Sequence, residues 1–203
     1  RSRNIANDMS KGVNFLMKKN KIDVIEGFGK IMPNKIVKVT NEKKTQELEG
    51  KNIIIATGAR SRDIPAIPKD GIKIFGYREA MTLKKQPKSI IIVGSGAIGV
   101  EFAYFYNSMG SKVTLIEYLD RLVPVEDDDI SKQLQKSFEK NGIDVMTNSE
   151  VTSVEKKSTG VNVRVMNKKK EQKISADVLL SAVGVKSNIE GIGLEEVGIA
   201  VDK

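Results

Sequence analysis

A run of apolar, mostly β-branched residues breaking into three spaced glycines constrains this chain more than any other feature. Ser89-Ile90-Ile91-Ile92-Val93 runs into Gly94-Ser95-Gly96-Ala97-Ile98-Gly99, and Glu117 stands eighteen positions beyond the last glycine. A glycine pattern alone would carry little. An apolar strand, a G-x-G-x-x-G turn, a helix-compatible stretch, a second apolar run and an acid in that order form a complete dinucleotide-binding unit. Each part has a physical task. Gly94 allows the tight turn off the strand, Gly96 leaves room for a pyrophosphate to approach the backbone, and Gly99 lets helix and sheet pack closely. The phosphates would sit on the free N–H groups and the positive dipole end of a helix predicted over residues 97–109. Gly110 can end that helix, and Lys112-Val113-Thr114-Leu115-Ile116 reads as the second parallel strand, with Glu117 at its carboxyl end.

A carboxylate at that place accepts hydrogen bonds from the adenosine ribose hydroxyls and repels a 2′-phosphate, so the pattern predicts NAD rather than NADP. Tyr118, Leu119 and Asp120 supply no cluster of cations for such a phosphate, and Arg121 alone stands nearby. The same fingerprint also serves FAD, and local sequence does not separate the two dinucleotides.

Composition narrows the chemistry. The 203 residues contain neither cysteine nor histidine, which excludes a disulfide, a thiolate nucleophile, a Cys/His zinc site and an imidazole base within the chain. The net charge of +8 raises the possibility of nucleic acid. However, the densest cluster, Lys168-Lys169-Lys170 with Lys173, lies between two alternating runs where a hairpin tip is expected. Lys18, Lys19 and Lys21 close a helix, where cations favour the dipole. With no aromatic interleaving, nucleic-acid binding is not expected. No apolar run approaches a membrane span, and the first residues do not resemble a signal peptide, so a cytoplasmic protein without membrane contact is the expectation.

Periodicity organises the rest. Ile5, Met9, Val13, Leu16 and Met17 have helical spacing over residues 5–19. Residues 22–25 read as a short strand, residues 27–30 as a turn, and residues 35–39 with 45–48 as a hairpin. Residues 51–56 read as a buried strand stopped by Thr57-Gly58, and Pro65, Pro68 and Gly71 mark a linker. From about residue 88 strands and helices alternate, as in a parallel doubly wound sheet. A helix is expected over 128–141 with Ile130, Leu134 and Phe138 on one face, then a strand over 143–146. Alternation over 150–175 suggests an antiparallel excursion before a last core strand over 176–183. The expected fold is α/β: a Rossmann-type sheet with that excursion. Residues 191–203 show no obvious core of their own.

Three landmarks stand in fixed order: Ile55-Ala56-Thr57-Gly58-Ala59, the glycine fingerprint, and Asp177-Val178-Leu179-Leu180-Ser181-Ala182-Val183-Gly184. In that order they resemble the two-dinucleotide flavoproteins of the pyridine nucleotide disulfide oxidoreductase family. Gly94 to Phe102 and Glu117-Tyr118-Leu119-Asp120-Arg121-Leu122-Val123-Pro124 look most like the members that oxidise dihydrolipoyl groups. The resemblance implies incomplete pieces of a second, FAD-binding α/β domain: a partial segment and linker over 1–80, an NAD-binding domain over 81–184, and the start of a return segment over 185–203. Family members carry a redox pair Cys-x4-Cys and a His-x4-Glu base, both absent here, so the chain is expected to be an internal segment and inactive alone. Electrons would pass from dihydrolipoyl groups to the cysteines, to FAD and then to NAD. The implied partners are a lipoyl-bearing protein of a 2-oxo acid dehydrogenase complex and a second copy in a homodimer. Alternatives are a glutathione- or mercuric-reductase-like member, or a nucleotide-binding module without a reaction.

The resemblance also implies roles. Gly94, Ser95, Gly96, Ala97, Ile98, Gly99, Val100 and Glu101 would line the pyrophosphate and nicotinamide ribose, Glu117 the adenine ribose, Val151 the adenine, and Gly184 the nicotinamide end. Gly29 would meet the adenine of FAD, and Thr57, Gly58 and Ala59 its diphosphate. On sequence alone Val151 reads as a sheet valine, Glu101 as a solvated helix face, and Gly29, Gly184 and Thr57-Gly58 as turn residues.

Overall fold

The computed structural model describes residues 1–202. They form two compact units, one from residues 1–57 with the stretch after 187, the other from residues 58–187. In the first, α1 (Ser2–Lys19) precedes an antiparallel meander of β1 (Phe28–Met32), β2 (Ile36–Thr40) and β3 (Thr45–Glu49). Lys18 and Lys19 lie in the last turn of α1, as the dipole favours. Its apolar residues recur at helical spacing, yet none is buried. Ile31 donates its N–H to Ile192 O at 2.7 Å, and Ile31, Ile192 and Leu194 form a small core with Ile53, Ile189 and Val197. The last residues therefore do contribute to a core, contrary to expectation.

Two strands predicted in this unit do not form. Residues 22–25 and 51–56 are apolar enough, but among the described residues no neighbouring strand pairs with either. A strand needs a ladder partner to satisfy its backbone. Ile54 is accordingly 91% exposed. Gly29, read as a turn residue, is instead inside β1 opposite Val39.

The second unit contains β4 (Ala59–Ser61), β5 (Ile74–Phe75), α2 (Tyr77–Ala80), β6 (Ser89–Val93), α3 (Ala97–Ser108), β7 (Lys112–Ile116), α4 (Asp128–Lys140), β8 (Asp144–Met146), β9 (Ser149–Lys156), β10 (Val161–Asn167), β11 (Lys170–Ala176), β12 (Val178–Ser181) and β13 (Val185–Ser187). The central sheet is parallel, in the order β5-β12-β6-β7-β8. A mixed α/β fold built on a parallel sheet is thus what the sequence pattern predicted.

Strand side chains alternate between faces, and here each face has its own core. Ile90 and Ile92 of β6, Val113 and Leu115 of β7 and Leu180 of β12 pack with Ala103 and Tyr106 of α3 and Phe138 of α4. On the other face Ile91, Val93, Ile116 and Leu179 pack against Val151, Val161, Val163 and Val165. Those valines come from the antiparallel β11-β10-β9 sheet, which covers that side. Burial on both faces is why β6 reads as an unbroken apolar run rather than an alternating one. Each buried Ile contributes about 1.5–3 kcal/mol of transfer free energy.

Helix α4 starts where predicted, with the Asp127 side chain accepting the Asp129 N–H at 2.9 Å. Ile130, expected on its core face, is exposed, and Ser131 is buried in its place. The Ser131 hydroxyl reaches Val123 O at 3.5 Å.

Candidate dinucleotide-binding cleft

Strand order fixes the place of the cleft. From β6 the chain continues to β7 on one side, while β12 lies on the other. In an open α/β sheet such a reversal leaves a crevice outside the carboxyl ends of the strands. There the structure has a cleft of about 810 Å³, lined by Gly94, Ser95, Gly96, Ala97 and Ile98 after β6, Glu117 after β7, Val151 of β9, and Ala182, Val183 and Gly184 after β12. That volume suits a small-molecule site.

The three glycines differ in what they require. Gly94 has φ of 98°, in the left-handed region, and a Cβ there would strike the Ala182 carbonyl. Gly99 faces the Gly94 carbonyl, which a Cβ would overlap. Both are demanded by the protein's own packing. Gly96 has φ of −67° and ψ of −177°, open to any residue, and a Cβ on it would meet nothing within 4 Å. Nothing within this chain gives Gly96 a steric reason to be glycine, whereas a ligand in the cleft would.

Behind it α3 begins with its N-terminus uncovered. The first hydrogen bond runs from Val100 N–H to Gly96 O at 3.1 Å, which leaves the N–H groups of Ala97, Ile98 and Gly99 ahead of the helical ladder. No side chain caps this end, and its first turn holds no acid. An anion would meet free donors and the positive dipole end.

Glu117 is the other fixed point. It is 7% exposed, with Oε2 accepting both the Ser95 N–H and the Ser95 hydroxyl, each at 2.8 Å, and Oε1 accepting the Leu119 N–H at 2.8 Å. Its own N–H donates to Met146 O at 2.8 Å, and its carbonyl accepts the Ser149 N–H at 2.9 Å. Strand β7 thus delivers the acid to the cleft wall and neighbouring backbone locks it there. Arg121, the cation nearest in sequence, is engaged by Asp128 and by Pro124 O, at the start of α4.

The remaining predicted residues lie elsewhere. Gly99 underlies the turn, Val100 packs against the α3-side core, and Glu101 is exposed outside the cleft lining. Gly58 and Ala59 belong to the same unit but not to the cleft, and Gly29 and Thr57 belong to the other unit. Sequence reasoning did not find Arg62, Ile64, Pro65 and Ala66, which form part of the cleft wall. Arg62 N–H donates to Gly184 O at 3.0 Å, a contact across the fold for which the linker-like Pro65 and Pro68 give no local signal. Among the described residues no group of His, Cys, Asp and Glu could hold a metal ion, and no helix is long and apolar enough to cross a membrane.

Sheet order, glycine turn and cleft together define a Rossmann-type α/β unit. The chain belongs to the pyridine nucleotide-disulphide oxidoreductase family, whose pattern it matches over residues 2–203. It is 43% identical to a dihydrolipoyl dehydrogenase of Rhizobium etli, covering 100% of this chain and 46% of that protein. It is 45% identical to one of Chlorobaculum parvum, covering 100% and 44%. The fold superposes on LpdA from Mycobacterium tuberculosis with a TM-score of 0.88 at 29% identity, over 98% of this chain and 44% of that one. It also superposes on the flavoprotein disulfide reductase RclA from Escherichia coli, with a TM-score of 0.79 at 29% identity, over 97% and 46%. The chain spans slightly under half the length of the relatives it matches.

Proposed function

We propose that this chain is the NAD-binding portion of a flavoprotein that oxidises dihydrolipoyl groups, a dihydrolipoyl dehydrogenase. The buried Glu117 carboxylate, presented at the end of β7 beside the uncovered α3 N-terminus, carries the proposal. Donors at the helix end suit a diphosphate, and a fixed carboxylate suits ribose hydroxyls while opposing a 2′-phosphate. The residues fit the group: Gly96 leaves the approach open, and Val151 and Gly184 supply apolar and backbone surface to the cleft. When bound, FAD and NAD supply the electron chemistry, and the protein supplies orientation and electrostatics.

In the whole protein Gly29, Thr57, Gly58 and Ala59 would serve FAD, Glu101 would serve the nicotinamide side of NAD, and the partners would be a second copy and a lipoyl-bearing protein. With neither cysteine nor histidine, the chain alone has no thiol to exchange with lipoamide. It is expected to bind NAD and turn nothing over.

Calorimetric titration of the purified chain with NAD, NADP and FAD tests the proposal. NAD binding that disappears in Gly96→Val, with NADP much weaker, is the expected result. Binding of FAD alone would mean that the fingerprint serves the other dinucleotide.

A further inference from the structure

The glycine pattern leaves position 95 free to be any residue, yet the serine there is fully buried and spends its hydroxyl on Glu117. We propose that Ser95 is a positioning residue for nucleotide recognition: its hydroxyl decides which oxygen of the Glu117 carboxylate meets the adenosine ribose. This rests on the NAD-binding reading above and assigns Ser95 a role beyond lining the turn.

A carboxylate offers about four lone-pair sites, two on each oxygen. Oε2 receives the Ser95 N–H and the Ser95 hydroxyl, both at 2.8 Å, so both of its sites are filled from the glycine turn. Oε1 receives the Leu119 N–H at 2.8 Å and keeps one site. A ribose hydroxyl therefore has one oxygen to approach. Ser95 is itself tied down: its carbonyl accepts the Val123 N–H at 3.0 Å, and the residue is fully buried. With the hydroxyl removed, Oε2 regains a site and the carboxylate is held by two N–H donors instead of three groups. The acid remains in place, but its orientation toward the ligand is no longer fixed. The gain from pre-organisation is then lost.

A double-mutant cycle read by NAD affinity tests whether the Ser95 hydroxyl acts through the Glu117 carboxylate. Titrations compare the unsubstituted chain, Ser95→Ala, Glu117→Ala and the double variant. Charged hydrogen bonds of this kind set an expected loss of about tenfold in NAD affinity for Ser95→Ala. In the Glu117→Ala background the same substitution should change affinity by less than about twofold, because no carboxylate remains to be oriented. Equal losses in both backgrounds, or none in either, would overturn the proposal. Should Ser95→Ala fail to fold, Ser95→Cys keeps nearly the same shape with only a weak donor, and the same pattern of coupling is expected. Absence of NAD binding by the unsubstituted chain would defeat the NAD-binding reading and this inference with it. NAD binding without coupling would defeat this inference alone.

Discussion

A methyl group placed on Gly96 or on Gly99 should produce opposite results, because the two glycines answer to different neighbours. At Gly96 the backbone already sits where any residue can, and the added carbon meets nothing within 4 Å. Alanine restricts the unfolded chain, a gain of about 0.4–1 kcal/mol, and is a poorer N-cap than glycine, a loss of similar size. Stability should therefore change by less than about 0.5 kcal/mol. NAD affinity should fall by about tenfold or more, since a methyl in the phosphate path lengthens charge-assisted hydrogen bonds worth about 1.5–3 kcal/mol. At Gly99 the added carbon falls on the Gly94 carbonyl, far inside the 3.0 Å limit for real contacts, with Ala182 Cβ 3.6 Å away on another side. That carbonyl cannot swing aside easily, because Gly94 is held by its N–H bond to Ile116 O at 2.8 Å. Overpacking of this kind costs about 3 kcal/mol, or roughly 6–12 °C in melting midpoint for a chain of this size. Thermal melts and NAD titrations of both variants are the assay. A Gly96→Ala chain that binds NAD normally, or a Gly99→Ala chain that melts with the unsubstituted one, would refute the division of roles.

Glu117→Ala should cost about 2 kcal/mol in urea denaturation, because it leaves the buried N–H and hydroxyl of Ser95 and the part-buried Leu119 N–H without their acceptor; a variant as stable as the parent would show that water replaces the carboxylate. Ile91→Ala, at the centre of the face covered by β9 to β11, should cost about 2–5 kcal/mol by the same measurement. The Asp70 carboxyl is opposed by partial burial, but N–H groups of Ile74, Ile72 and Lys73 and the Lys156 ammonium at 2.9 Å hold it well below the usual carboxylate range. A depressed folded value means the stabilisation is complete above the unfolded value near 3.8 and is lost as pH falls below it. Asp70→Ala should thus be less stable than the parent at pH 7 by about 2 kcal/mol, and the gap should narrow below pH 4; a constant gap from pH 7 to 3 would contradict the assignment.

Much of the second unit was legible because local rules and tertiary environment agree there. Residues 89–93 read as a buried strand since both faces are covered, and residues 161–165 alternate since only one face of β10 meets the core. Residues 22–25 and 51–56 misled because an apolar run reports a wish for cover, not the presence of a ladder partner. Ile130 is exposed where a core position was expected, with Ser131 buried beside it, because the entry of α4 is set by Asp127 and Val123 rather than by its apolar stripe. The fingerprint residues could be read from adjacent positions along the chain. The wall made by Arg62 and Pro65 could not, since it reaches the cleft through partners distant in sequence, among them Gly184, whose carbonyl accepts the Arg62 N–H.

The pairing of β4 with β13 bears on how the chain reaches its native state. Ala59 lies opposite Ser187 and Ser61 opposite Val185, so the second unit begins and ends side by side. For the first unit, residues 58–187 are an insertion between Ile53 and the Ile192 and Leu194 that join its core. As an unfolded loop that insertion would make closure costly. Once folded, with its ends clipped together, it behaves as a link of a few residues, and the entropy of closure falls by about 3 kcal/mol on the logarithmic scale. Folded first, the continuous unit acts as an internal splint that shortens the loop the discontinuous unit must close, whereas in the reverse order the full unfolded loop is closed first at full cost.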